Sequence, residues 1–282
     1  MWANFHTHGN YCDGATPMSD FLPAADQYHV SVLGFSSHAP VPFNCSWCMK
    51  KEQFKDYLAE VDLLKKENPH LDIYKGLEVD FIPETVSPAD FKKHLDYTIG
   101  SIHFVDQFED GKHWEIDGTH SVFMEGLKAI FNDDIREAIR RYFELTRQMV
   151  AESQPDIVGH LDKIKIHNVG ANLYSESDPW YQEEMTKTLN LIADSKAIIE
   201  VNTRGIYQKK SPTTYPSPWV LEMIRQRHIP ITISSDAHHP KDLTNHFLET
   251  AHLIYTLGFR KISILRDGSW QPVNLSPNGI TQ

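Results

Sequence analysis

The sequence predicts an α/β fold in which parallel strands alternate with crossover helices, seven or eight units closed into a barrel. Three observations predict it. Short β-branched apolar runs alternate with stretches of helical period along the chain, and such alternation pairs strands in parallel. An acidic or imidazole side chain follows nearly every apolar run, where a barrel forms its C-terminal mouth and its active site. No linker, repeat or composition break divides the 282 residues, so a single domain over 1–282 is expected. An open doubly wound sheet is the alternative, but no Gly-rich phosphate loop follows the first strand.

The elements follow in order. Residues 4–8 form the first strand, and Gly9, Asn10, Asp13 and Gly14 a loop. Ser19 suits the N-cap of a helix carrying Phe21, Leu22, Ala25 and Tyr28. Residues 30–36 are the second strand. Phe54, Leu58, Val61 and Leu64 share a face of a helix over 51–67, which Asn68-Pro69 stops. Residues 71–81 and 97–104 are strands three and four. The polar and aromatic segment 106–120 is expected as a long loop. Ile135, Ile139, Tyr142, Phe143, Thr146 and Val150 line one face of a helix over 134–153, and residues 157–160 make the fifth strand. Pro179 opens a helix burying Met185, Leu189 and Ile192. Residues 197–202 are the sixth strand. Ser217-Pro218 supply N-cap and N1 of the next helix, and residues 230–235 the seventh strand. A last helix starts at Pro240 and stops at Gly258, before a short strand over 262–265.

Composition removes several function classes. The net charge is -11, which argues against affinity for nucleic-acid phosphates or anionic membranes. An anionic substrate is still compatible, because bound divalent ions reverse the local sign. No apolar run approaches the ~20 residues of a membrane span, and the N-terminus lacks a signal peptide's basic and apolar regions. Three cysteines, Cys12, Cys45 and Cys48, suggest a reducing, cytoplasmic compartment rather than a disulfide framework. Cys45 and Cys48 lack the second pair of a zinc knuckle. Oligomeric state is not legible.

Histidine is the outlier, with 16 residues. His6 and His8, at i and i+2 on a strand, face one side and suit one metal ion. Alone, such a pair reads better as surface histidines. Strand ends then add His38, Glu78, His103, His160, Asp236 and His238, and the first loop adds Asp13. Each has a plainer reading: a turn former for Asp13, core histidines for His38 and His103, an ion pair for Glu78, an N-cap for Asp236. Joint occurrence outweighs these. Nine side chains are too many for one ion and suit two or three divalent ions, zinc, iron or manganese, with Glu78 as a bridge. Ions about 3.5–4 Å apart stabilise attacking and leaving oxygens of an in-line displacement.

The motifs HTHGNYCDG, GLEVDF, GSIHF and SSDAHHP, with His38 and His160, resemble those of the polymerase-and-histidinol-phosphatase (PHP) superfamily, in its histidinol-phosphatase branch. The resemblance covers essentially the whole chain. It implies a distorted (β/α)7, TIM-like barrel and a cytoplasmic phosphomonoesterase of histidine biosynthesis. The implied reaction is hydrolysis of L-histidinol phosphate by a metal-activated hydroxide. It also implies three ion sites: His6, His8, Glu78 and Asp236; Glu78, His103 and His160; Asp13, His38 and His238. Many superfamily members have histidine where Asp13 stands. Asp236 and His238 are candidates for proton handling. Arg204 can grip phosphate oxygens bidentately. Asn202, Lys209 and Trp114 are further candidate substrate contacts, and the loop around Trp114, Glu115 and Asp117 is expected to meet the amine or imidazole of the substrate. The expected partner is a small phosphate ester, with no nucleic acid and no membrane. Alternatives are another small phosphoesterase activity or a non-catalytic metal-binding protein.

Overall fold

The computed structural model describes residues 1–281. β1 (Trp2–Asn4) leads to α1 (Phe21–Gln27), β2 (Val30–Phe35) and α2 (Phe54–Glu67). α2 buries Tyr57, Val61 and Leu64, and the Tyr57 hydroxyl donates a 2.7 Å hydrogen bond to the Gly76 carbonyl. The third strand is broken into β3 (Asp72–Lys75) and β4 (Glu78–Asp80). Between them the Tyr97 ring presses on Gly76, where a Cβ would lie 2.2 Å from Tyr97 Cζ.

β5 (Ile99–Ser101) is followed by the hairpin β6 (Phe104–Gln107) and β7 (His113–Glu115), then α3 (His120–Phe131) and α4 (Ile135–Ser153). Asp134 caps α4 by accepting from the amides of Arg136 and Glu137, satisfying donors a helix start leaves open. α4 buries Ile139, Tyr142, Phe143, Met149 and Val150, each worth roughly 1.5–3 kcal/mol in removed apolar surface.

β8 (Ile157–Val158), α5 (Pro179–Ala193), β9 (Ile198–Asn202), the single turn α6 (Arg204–Tyr207), α7 (Pro218–Gln226), β10 (Ile231–Ser234) and α8 (Phe247–Thr256) continue the alternation. β11 (Lys261–Arg266), β12 (Ser269–Ser276) and β13 (Gly279–Thr281) end it.

The architecture is α/β with parallel sheets. One sheet has the order β1-β2-β3 and the other β10-β9-β8-β5-β4, parallel throughout. Two isolated parallel bridges, Thr7 to Ala237 and His38 to Glu78, join the chain just beyond β1 and β2 of one sheet to the chain just beyond β10 and to β4 of the other. Parallel pairing sets the C-terminal ends of these strands on one side. No helix among the described residues is long and apolar enough to cross a membrane.

Besides the broken third strand and a first strand that ends at Asn4 rather than His8, four elements differ from expectation. The segment 106–120 is not a loop: it holds most of the β6–β7 hairpin and leads into α3. That helix escapes a periodicity reading because Gly126 sits inside it. A Cβ there would lie 2.1 Å from Trp114, so the glycine admits the indole. α1 starts from a 3₁₀ turn over Met18–Asp20 with no side-chain cap, so Ser19 does not cap it. Pro240 opens only a 3₁₀ turn, and α8 begins after His246, whose φ of 61 interrupts the helix. The short final strand is one of three in an antiparallel meander turned at Asp267 and Gly268, both at positive φ, an Asp-Gly hairpin signal. Trp270 of this meander packs edge-on against Phe5 at 4.8 Å.

Candidate active site

The strand ends converge on Glu78. His6 and His8 follow β1, His38 follows β2, His103 follows β5, His160 follows β8, and Asp236 and His238 follow β10. Thr7 bridges to Ala237 between the first two histidines, so both imidazoles turn to the same side. His6, His8, Glu78, His103, His160 and Asp236 are each at most 3% exposed.

Glu78 divides its two oxygens between two imidazole sets. Its Oε2 lies 3.0 Å from His6 Nε2, 3.5 Å from His8 Nε2 and 3.1 Å from His38 Nδ1. Its Oε1 lies 2.8 Å from His160 Nε2 and 3.5 Å from His103 Nε2, and accepts a 2.7 Å hydrogen bond from Ser101 Oγ. Asp236 Oδ1 stands 3.3 Å from His8 Nε2 and 3.7 Å from His6 Nε2. Asp13 Oδ1 stands 3.1 Å from His238 Nε2 and 3.8 Å from His38 Nε2.

The donors fit divalent ions. Ligand atoms fall within 4.8 Å of one another in the sets His6–His8–Asp236, Glu78–His103–His160 and His8–Asp13–His38–His238. His6 Nε2, His8 Nε2 and His38 Nδ1 are buried without a hydrogen-bond partner, although carboxylate oxygens lie close by. An orphaned buried polar atom costs about 1–3 kcal/mol. Several orphans around one carboxylate are what shared ligation of a cation would satisfy, and mixed imidazole and carboxylate donors suit zinc, iron or manganese.

Outer carboxylates aim the rings. His6 Nδ1 meets Glu200 Oε1 at 2.6 Å, and His103 Nδ1 meets Asp80 Oδ1 at 3.0 Å. With carboxylate acceptors, each Nδ1 carries the proton and Nε2 turns toward Glu78. Glu200 also accepts from the His160 amide at 2.8 Å and Asn202 Nδ2 at 3.1 Å. Spacing rules did not single out Glu200 or Asp80. The available signals were a lone Glu inside the apolar run AIIEVN and an Asp two residues after Glu78.

Charge balance follows from this crowding. Burial opposes ionisation of Glu78, but His6, His38 and His103 outweigh it and hold the carboxyl well below its usual range. His6, Arg204 and His8 likewise overcome burial at Asp236. Burial would depress His6, yet Glu200, Glu78 and Asp236 raise it well above its ordinary value. Asp80 and Glu78 lift His103 to about 9 against burial and Lys163. Burial leads in lowering His38 to about 4.

Ligating imidazoles must be neutral, so metal loading competes with protons. Zinc added to chelator-treated protein at about pH 7.5 is expected to displace protons from His6 and His103. Calorimetric titration in buffers of different ionisation enthalpy reads that release. Heats identical in every buffer would contradict it.

A cavity of about 220 Å³ opens over these groups, lined by Asp13, His38, Lys163, Arg204, Asp236 and His238 among others. Arg204 Nη1 donates to the Asp236 carbonyl at 2.7 Å and lies 2.7 Å from His238 Nδ1. Lys163 Nζ lies 2.9 Å from Asp117 and 3.2 Å from His103 Nε2. Sequence reading passed over Lys163, whose signal was its place three residues after His160.

Three expected substrate contacts need correction. Trp114 is fully buried against Phe123 and Phe131. Alternation along β7 turns it away from the cavity and turns Glu115 toward it. Asn202 is also fully buried, with its amide held by Glu200 and Asp236 and its oxygen by the Arg204 amide. Lys209, at φ 57 in the turn after α6, is exposed, and the cavity is lined by Lys210 instead. Cys12 Sγ lies 3.5 Å from His8 Nδ1, packed beside the cluster.

The chain is similar to known proteins. A family model described as the PHP domain matches residues 4–204. The chain is 28% identical over 274 residues to a Deinococcus radiodurans protein named "Probable histidinol-phosphatase", covering 95% of this chain and 97% of that one. It is 25% identical to the histidinol-phosphatase of Bacillus subtilis, covering 84% of this chain and 94% of the relative. The structure of a histidinol phosphate phosphatase from Lactococcus lactis, complexed with zinc, L-histidinol and phosphate, superposes with a TM-score of 0.66. At 18% identity, covering 100% of this chain and 99% of that one, this is a likeness of fold. Because the family match runs from the last residue of β1 through β9, and with it most of the cluster around Glu78, the chain belongs to the PHP domain family.

Proposed function

We propose that the protein is a metal-dependent phosphomonoesterase that hydrolyses L-histidinol phosphate to L-histidinol and phosphate, a step of histidine biosynthesis. One observation carries the reading: buried Glu78 offers one oxygen to His6, His8 and His38 and the other to His103 and His160. That is the donor layout for ions held side by side. When bound, divalent ions would lower the pKa of water toward ~7 and draw charge from the phosphoryl oxygens.

We assign His6, His8, Glu78 and Asp236 to one ion, Glu78, His103 and His160 to a second, and Asp13, His38 and His238 to a third. Glu200 and Asp80 hold ligand rings in orientation. Lys163, Arg204 and Lys210 line the cavity and neutralise a phosphate dianion, with the Arg204 fork held in place by the Asp236 carbonyl. Proton transfer to the leaving oxygen falls to Asp236 or His238. Relatives named for this activity support the choice of ester. The same reading takes the chain as one domain over 1–282, a distorted (β/α)7 barrel. The Thr7–Ala237 and His38–Glu78 bridges support that closure, since they join the two parallel sheets.

Phosphate release from histidinol phosphate, measured beside a panel of other phosphomonoesters and phosphodiesters with zinc, manganese or iron added, tests the proposal. Histidinol phosphate is expected to lead the panel in kcat/KM. No advantage over the other esters would sink the substrate assignment.

A further inference from the structure

The chain between β2 and α2 leaves His38 and comes back to it, where the Met49 amide donates to the His38 carbonyl at 3.2 Å. That loop carries Cys45, Trp47 and Cys48, and the chain bends at Ser46, Trp47 and Cys48. The bend returns Cys48 toward Cys45, and the two thiols share a hydrogen bond. Neither is in a disulfide. Their exposure differs. Cys48 is 7% exposed, whereas Cys45 is half-buried and lines a cavity of about 450 Å³. That cavity shares Trp47 with the one over Glu78. A small solute therefore reaches Cys45 before Cys48.

Trp47, between the two cysteines, touches the candidate metal ligands. Its indole stacks on Phe104 at 5.4 Å and meets His38 and His103 edge-on at 4.6 and 5.4 Å. Its Nε1 donates to Glu115 Oε2 at 3.0 Å. Any ring closed through the two sulfurs contains the Trp47 backbone. A disulfide demands an S–S bond of about 2.05 Å and Cβ atoms about 3.8 Å apart, a closer approach than a thiol hydrogen bond requires. The two sulfurs also differ in chemistry. The Cys48 hydrogen bond favours the Cys45 thiolate against burial, and the amides of Trp47 and Cys48 act in the same sense. Cys45 and burial keep the proton on Cys48. The accessible member is thus the better nucleophile.

We infer that Cys45 and Cys48 are a modification site: a thiol pair that closes reversibly to a disulfide, draws the Trp47 indole off the His38 and His103 rings and so slows turnover. The co-reactant is a small organic disulfide. The Cys45 thiolate attacks one of its sulfurs, and the first thiolate leaves. The Cys48 thiol gives its proton to that thiolate, and its sulfur attacks Cys45 Sγ, expelling the second thiolate. The two cysteines together lose two electrons and two protons, and the co-reactant's S–S bond becomes two thiols. The effect on turnover rests on the phosphomonoesterase reading, whereas the bond itself does not.

Equilibration of the manganese-loaded protein with mixtures of reduced and oxidised glutathione tests this, manganese being chosen because thiolates prefer softer ions. Peptide mapping by mass spectrometry is expected to find Cys45 cross-linked to Cys48, and reduced glutathione to reverse it. Phosphate release from histidinol phosphate is expected to slow about 3–10-fold in the oxidised form at unchanged manganese content. Cys45→Ser and Cys48→Ser are each expected to match the rate of the reduced wild type and to lose the response. Absence of the cross-link in excess oxidised glutathione, a lasting glutathione adduct on Cys45, or a cross-link with unchanged turnover overturns the proposal. Tryptophan fluorescence is expected to change on oxidation of the wild type and not of Trp47→Phe, and an equal change in both overturns the movement of Trp47. If the reduced wild type releases phosphate from no ester, the phosphomonoesterase reading fails, and the peptide map and the fluorescence decide the thiol site.

Discussion

Glu78→Ala is expected to empty most of the metal site and slow phosphate release at least ~10³-fold, the loss of several kcal/mol of transition-state stabilisation. Both oxygens of this carboxylate are engaged, so its removal strips a ligand from two imidazole sets at once. It also leaves His6, His8, His38, His103 and His160 packed around a void without a counter-charge. Removing one partner of a buried charged cluster costs about 3–5 kcal/mol, so the thermal midpoint should drop as well. Glu78→Gln separates the causes: it keeps the volume and an acceptor for Ser101 Oγ but removes the charge. Metal per chain, measured by mass spectrometry beside turnover, reads the result. Wild-type metal content in Glu78→Ala would refute the bridging role.

Chelation should destabilise the protein, and more so as pH rises. A ligand at about 100 times its Kd stabilises the folded state by ~2.7 kcal/mol. Stripping the ions should therefore lower the thermal midpoint by roughly 5–10 °C. The pH dependence comes from what replaces the ions. In the metal-free protein, His103 is raised from 6.5 to about 9, with Asp80 and Glu78 as the raising causes. A raised pKa contributes stability that is fully present below the unfolded value and is lost as pH rises through the folded one. His6 is raised by its carboxylates in the same sense. Protons thus substitute for metal near pH 6.5 and leave by about pH 9, so the gap between loaded and stripped midpoints should widen across that window. Glu78 and Asp236, held low, act oppositely: their contribution is present above the ordinary carboxylate range and is lost as pH falls below it. Differential scanning fluorimetry with and without chelator measures the gap. A gap that is constant or narrows with pH would contradict this account.

Local pattern carried much of the fold. The β2 strand ends where its apolar run ends, and α4 lies where its period of Ile139, Tyr142, Phe143 and Val150 puts it. The α3 helix and the β6–β7 hairpin were illegible for a packing reason. Gly126 weakens the helix signal locally, and it is there for an indole that docks from another strand. The candidate ligands were legible because a ligand must be one of a few residue types and because parallel strands deliver their ends together.

By itself, the sequence determined the alternation of strand and helix and the chemical identity of the side chains at each strand end. Both are local properties, set by hydrophobic period and residue type. Tertiary structure alone decided where those side chains point. His6 meets Glu200 across 194 residues of chain, and Trp47 meets Glu115 across 68. Trp114 and Glu115 are neighbours whose fates separate: one is buried under α3, the other lines the cavity. The direction of a side chain depends on strand register and on what packs behind it, and neither is written in the residues adjacent to it.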